Sequence, residues 1–229
     1  MIALILSLSL AHAQAPLGWE VLDEAVLAAP AAEANISQLP LDLLVEEGSL
    51  WSLSALRLQL SKSSTILRQC GVVIGEVSVQ TVRYAPETLR ALNVEDPYKG
   101  PAELYLMRGI PTPVARPMGF LFAKSIPSTA SAYNAESVRR LTFGTIDASP
   151  LLNTFHITEQ SISNRVVPGA AASYNTFAHE LVHLAGNLGH IDLYGNLMSS
   201  RDGRNSKTGQ LTVEQCNAIK RFPLLVNPE

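Results

Sequence analysis

Residues 179–190 read His179-Glu180-Leu181-Val182-His183-Leu184-Ala185-Gly186-Asn187-Leu188-Gly189-His190, and three of the chain's five histidines fall inside those twelve positions. The apolar residues around the first two histidines predict a helix over residues 173–186. At 3.6 residues per turn such a helix puts His179 and His183 one above the other on a single face. Phe177, Leu181, Leu184 and Ala185 project from the opposite side, so the helix can be anchored in a core while its histidines face a cleft. Two imidazoles at this spacing can reach one zinc ion at about 2.0–2.1 Å each. Glu180 lies about 100° round from His179, beside the histidine row and off it.

Each residue type answers a chemical need. Zinc lowers the pKa of its bound water toward about 7, which permits hydroxide-like attack at neutral pH. A carboxylate at Glu180 can take the proton and later deliver it to a departing amine. A catalytic zinc keeps one position open, so three protein ligands are expected and the third must come from outside the helix. Gly186 can end the helix in a sharp turn of positive φ and send the chain back beneath the metal. His190 follows four residues later, with Gly189 adding freedom to aim its ring.

With these residues in place, the run resembles the signature of the metzincin metallopeptidases, H-E-x-x-H-x-x-G-x-x-H followed by a Met-turn. The Met-turn candidate is Asn196-Leu197-Met198-Ser199, with Met198 eight residues after His190, a spacing similar to that of the matrixins. The resemblance implies a zinc-dependent endopeptidase with Met198 as an apolar floor under the ligands and a specificity loop over residues 199–210. It also implies a metzincin-like fold of the α/β (α+β) class. That fold is a twisted mixed sheet with a long helix and the active-site helix, then a small C-terminal subdomain with one helix. Two departures stand out. One extra residue separates Gly186 from His190, so Gly189 occupies the position where the family has its third histidine. His190 remains the expected third ligand, with Asp192 as its alternative and Glu214, from a later helix, behind both. Ser200 stands where some relatives have a tyrosine that swings onto the zinc.

Working outward, residues 50–69 repeat Leu, Trp and Ile at helical spacing and predict a packed helix that Gly71 ends, with Cys70 in its last turn. Residues 72–84 alternate β-branched side chains and predict a strand. Residues 41–45, 102–107 and 118–123 read as further strands, and residues 129–134, 141–147 and 151–158 as short ones. Thr212 followed by Gln215 is a capping-box pattern that opens a helix through about Arg221. Strands gathered before the motif helix, with one helix after it, independently indicate an α/β or α+β domain.

The 229 residues suffice for one ordinary domain, and 47% apolar with 16% charged residues is globular composition. A net charge of −3 exerts no pull toward nucleic acid, and no segment is long and apolar enough for stable membrane insertion. Residues 2–10 form an apolar run followed by Ala11-His12-Ala13, a small-x-small pattern predicting a signal peptide cleaved after Ala13. The expected organisation is residues 1–13 as signal, 14–39 as a linker, short pro-segment or first helix around 20–29, and 40–229 as the peptidase domain. Within that domain the N-terminal subdomain runs to about 186 and the C-terminal one covers 187–229. The destination is secreted or periplasmic, and the two cysteines, Cys70 and Cys216, are expected to form a disulfide contributing ~4 kcal/mol. The expected partner is a peptide or protein substrate met by a monomer. Two rivals keep the metal site but change the role: a zinc amidohydrolase acting on cell-wall peptides, and an inactive zinc-stabilised binding module, which would have no use for Glu180.

Overall fold

The alternating β-branched residues after Gly71 form the longest of the described strands, β3 (Val72–Tyr84). The chain is seen in a computed structural model that describes residues 19–27, 34–85, 115–123, 130–133, 153–159, 176–186, 189–199 and 209–227. Around β3 the described strands are β1 (Trp19–Leu27), β2 (Ser37–Glu46), β4 (Met118–Phe122), β5 (Ala130–Tyr133) and β6 (Thr154–Thr158). They form one sheet in the order β1-β3-β2-β4-β6-β5. The four central strands, β3-β2-β4-β6, are parallel, while β1 and β5 pair antiparallel at the two edges. A mixed sheet with helices packed on it is an α+β arrangement. The expected strands at 102–107 and 141–147 lie outside the described residues.

Helix α1 (Leu53–Leu67) starts at Ser52, whose side chain accepts the Ala55 N–H, and runs into a 3₁₀ turn, Arg68–Cys70. Its buried stripe is Leu56, Gln59, Leu60, Ser63, Ile66 and Leu67. Leu50, Leu53 and Leu58, which the sequence reading counted toward the packed face, are exposed instead. A single face at 3.6 residues per turn runs through positions 56, 59, 60, 63, 66 and 67, so Gln59 and Ser63 fall on it while Leu53 and Leu58 do not. Gly71 then takes φ +68°, a left-handed turn that an L side chain resists, and β3 begins.

A correction falls on the helix expected around residues 20–29: Trp19–Leu27 is a strand paired antiparallel with β3, with a register shift between Val21 and Asp23, and β2 starts at Ser37. Only Trp19 and Leu27 of β1 are buried, so the strand carries little local signal and owes its form to the hydrogen bonds of its neighbour.

The main core lies between one sheet face and the helices. Leu39, Leu41, Leu43 and Val45 of β2 and Ile74, Val77 and Val79 of β3 meet α1 and a second helix, α2 (Thr176–Gly186). A bulge opposite Pro40 shifts the β2–β3 register between Leu39 and Leu41, which keeps Ile74 and Val77 on the same face. At Gly119 of β4 a Cβ would come within 2.4 Å of the Phe155 ring. The missing side chain therefore lets Phe155 lie across β4 and meet Phe177 of α2 edge-on, ring centroids 5.3 Å apart. The opposite sheet face carries an aromatic row of Trp19, Tyr84, Phe120, Phe122 and His156.

A third helix, α3 (Val213–Ile219), opens on the expected capping box of Thr212 and Gln215. Cys216 on α3 is bonded to Cys70 with their Cα atoms 4.6 Å apart, closing a loop of 146 residues. The pairing also places Cys70 in a structural bridge, 1% exposed. Reduction in mild denaturant, or Cys70→Ser, should lower unfolding stability by about 4 kcal/mol. Unchanged denaturation midpoints would show that the bridge carries no stability.

His156 supplies a pH test. Burial lowers its pKa from 6.5 to about 4. Between those values the unfolded chain binds a proton that the folded chain refuses, so stability falls as pH drops through the window, by about 3 kcal/mol in all. His156→Gln should flatten that dependence, the wild type losing more stability than the variant on acidification. Parallel acid profiles for the two proteins would contradict it.

Candidate metal centre

Helix α2 is buried along nearly its whole length. Phe177, Ala178, Leu181, Val182, Leu184 and Ala185 all belong to the core. That packing fixes the helix, so the side chains left over point in set directions. His179 and His183, one turn apart, bring their rings to a centroid distance of 4.7 Å. The helix ends on Gly186, and residues 187–188 lie outside the described residues. The chain then delivers His190 to the same place, its ring centroid 5.1 Å from that of His179 and 4.7 Å from that of His183.

The decisive geometry is atomic. The Nε2 atom of His179 lies 3.1 Å from Nε2 of His190 and 3.1 Å from Nε2 of His183. Two nitrogens each about 2.0–2.1 Å from one tetrahedral ion would sit about 3.3–3.4 Å apart. Three imidazole nitrogens drawn this close leave room for a shared cation among them, and the three histidines could hold a metal ion. The extra residue between Gly186 and His190 does not keep His190 away. Asp192 is exposed and outside this group, and Glu214 is exposed on the first turn of α3.

The protonation pattern fits as well. The Nδ1 atom of His179 is 3.0 Å from the Leu197 carbonyl oxygen. A carbonyl only accepts, so Nδ1 carries the hydrogen and the neutral ring presents its lone pair at Nε2, toward the other two histidines. Burial is graded across the set: His179 is buried, His183 intermediate and His190 exposed. One side of the cluster is thus set in the core and the other faces solvent.

The remaining candidates fall around this cluster. Glu180 follows His179 on α2 and is buried, 5% exposed. Met198 is fully buried within the core, and the turn that carries it runs directly beside the histidines. Leu197 holds His179, and the Met198 carbonyl accepts the N–H of Ile191, the residue after His190. A Cβ at Gly189 would meet nothing within 4 Å, so packing does not demand glycine there. Tyr194, near the cluster in sequence, is 74% exposed. Most of the expected specificity loop, residues 200–208, lies outside the described residues. The carbonyl groups that orient the histidines went unforeseen, because every residue has one and only the tertiary path decides where it points.

No family model matches the chain, and no curated protein matches it. Among solved structures, the crystal structure of metalloproteinase-II from Bacteroides fragilis is similar, at 15% identity and a TM-score of 0.47, over 84% of this chain and 55% of that one. The chain thus spans little more than half the length of the structure it matches, and the reading of the site rests on its own geometry. Among the described residues no helix is long and apolar enough to cross a membrane, and the disulfide fits an oxidising compartment. Metal loading should register as one equivalent of zinc per chain by atomic absorption. Zinc at about 100 times its Kd should stabilise the fold by about 2.7 kcal/mol. His190→Ala should lose both effects, whereas His156→Ala should keep them; equal loading of the two variants would refute the three-histidine site.

Proposed function

We propose that this chain is a secreted zinc-dependent endopeptidase of metzincin type, with the ion held by His179, His183 and His190 and the proton carried by Glu180. The observation that supports this most directly is the convergence of three Nε2 atoms on one point, with a buried carboxylate on the next residue of the same helix. When bound, zinc would supply Lewis acidity, activating water and polarising the scissile carbonyl.

The chain's own groups do the rest. The Nδ1–H of His179 donates to Leu197, which keeps the ring oriented and its Nε2 basic. Glu180, held on a helix whose sides are packed, cannot swing far from its place. Its carboxylate takes the proton from the attacking water and passes it to the nitrogen of the departing amine. Because Glu180 itself is buried, its carboxylate acts with more force than it would in water. Met198 forms an apolar floor in the turn below, and the exposed side of the cluster, at His190, admits an extended peptide. The N-terminal apolar run and the disulfide support export.

A binding module needs the histidines but not the carboxylate, so Glu180 separates the readings. Glu180→Gln should lower kcat/KM on a mixed peptide library by on the order of 10³-fold while leaving one zinc per chain. Full activity in that variant would sink the proposed proton path. Absence of peptide turnover in the zinc-loaded wild type would favour the amidohydrolase or the binding module.

A further inference from the structure

The turn over residues 196–199 holds two of the three histidine segments, yet it is a short irregular stretch with no helix or sheet ladder of its own. Something else must fix it. Asn196, 1% exposed, and Gln215 of α3, 2% exposed, face each other as two amides. The Asn196 Nδ2–H donates to Gln215 Oε1 at 2.9 Å, and the Gln215 Nε2–H donates back to Asn196 Oδ1 at 3.2 Å. Each oxygen accepts a second bond. Asn196 Oδ1 takes the Met198 N–H at 2.8 Å, and Gln215 Oε1 takes the Thr212 N–H at 2.8 Å.

This pattern admits one orientation only. Flipping either amide would set an NH₂ group against the N–H of Met198 or of Thr212, donor facing donor, with no solvent to relieve it. The amide of Gln215 is also carried on a well-anchored helix. Cys216 beside it is bonded to Cys70, and Gln69 Nε2–H donates to the Gly209 carbonyl at 2.9 Å. The Leu197 N–H is fixed in turn by the Gln210 carbonyl at 2.9 Å.

We infer that the Asn196–Gln215 amide pair is a positioning device for the metal centre. It transmits the fixed place of α3 to the turn, so that Leu197 meets His179 Nδ1 and Met198 holds the His190 segment. Their amides bond to each other, to Met198 and to Thr212, so their role is to position, not to bind the ion or carry a proton. The inference rests on the three-histidine reading and adds to it a reason for the turn's rigidity. Groups that orient a ligand histidine typically govern metal affinity by about 10–100-fold.

The test uses the full chain and three variants. Gln215→Met keeps the volume and removes both amide bonds. Gln215→Glu keeps an acceptor for Thr212 but sets a carboxylate against Asn196 Oδ1. Phe120→Leu, on the far face of the sheet, is a control for general loss of stability. Zinc affinity by chelator competition should fall about 10–100-fold in both Gln215 variants and stay unchanged in the control. Nitrogen NMR of the zinc-free wild type should show His179 as the Nδ1–H tautomer, a measurement that needs no variant, and the Gln215 variants should show a mixture. Gln215 variants that bind zinc as the wild type does, or a wild-type His179 protonated at Nε2, would overturn the positioning role. Should the wild type bind no zinc at all, the three-histidine reading falls first and the positioning role with it.

Discussion

One hydrogen bond, from His179 Nδ1 to the Leu197 carbonyl, couples the two halves of the site. A helix alone can line up two imidazoles, but it cannot choose which ring nitrogen carries the hydrogen or bring in a third histidine. The turn over residues 196–199 does both. One of its carbonyls selects the tautomer of His179, and the next accepts the N–H beside His190. Ordering a loop residue costs about 1–2 kcal/mol of backbone entropy, so an exposed segment such as that of His190 holds its ring in place only when tied down.

The rest of the molecule reads as support for that coupling. On the sheet side, the bare backbone at Gly119 lets Phe155 lie flat enough to meet Phe177, two residues before His179. On the C-terminal side, the Cys70–Cys216 bridge pins α3 to the end of α1. The inner histidine, His179, is thereby set on a rigid base, while His190 stays at the solvent edge. Rigidity on one side with access on the other is what a site with an open coordination position needs.

Much of this was legible from local pattern. The stop at Gly71, the alternation of β3, the capping box of α3 and the i, i+4 histidines of α2 are all short-range signals, and each element appears close to where its pattern placed it. Two kinds of feature escaped. Strand β1 escaped because most of its side chains are exposed and its conformation is imposed by β3, whose paired residues lie 50 to 65 positions further along the chain. The Asn196–Gln215 pair escaped because Gln215 already had a local role in its cap, which gave no hint that the same amide reaches a turn 19 residues earlier.

The sequence by itself determined the chemistry available: two imidazoles one helical turn apart, a carboxylate beside them, a third histidine within reach and a pair of cysteines. These follow from residue identity and from helix periodicity, which act over a few bonds. Only the tertiary structure decided that His190 and not Asp192 joins the other two, that Nε2 is the nitrogen each of them presents, and that Trp19–Leu27 completes the sheet. Those choices depend on where distant backbone groups place their donors and acceptors, and a linear pattern of side chains carries no record of that.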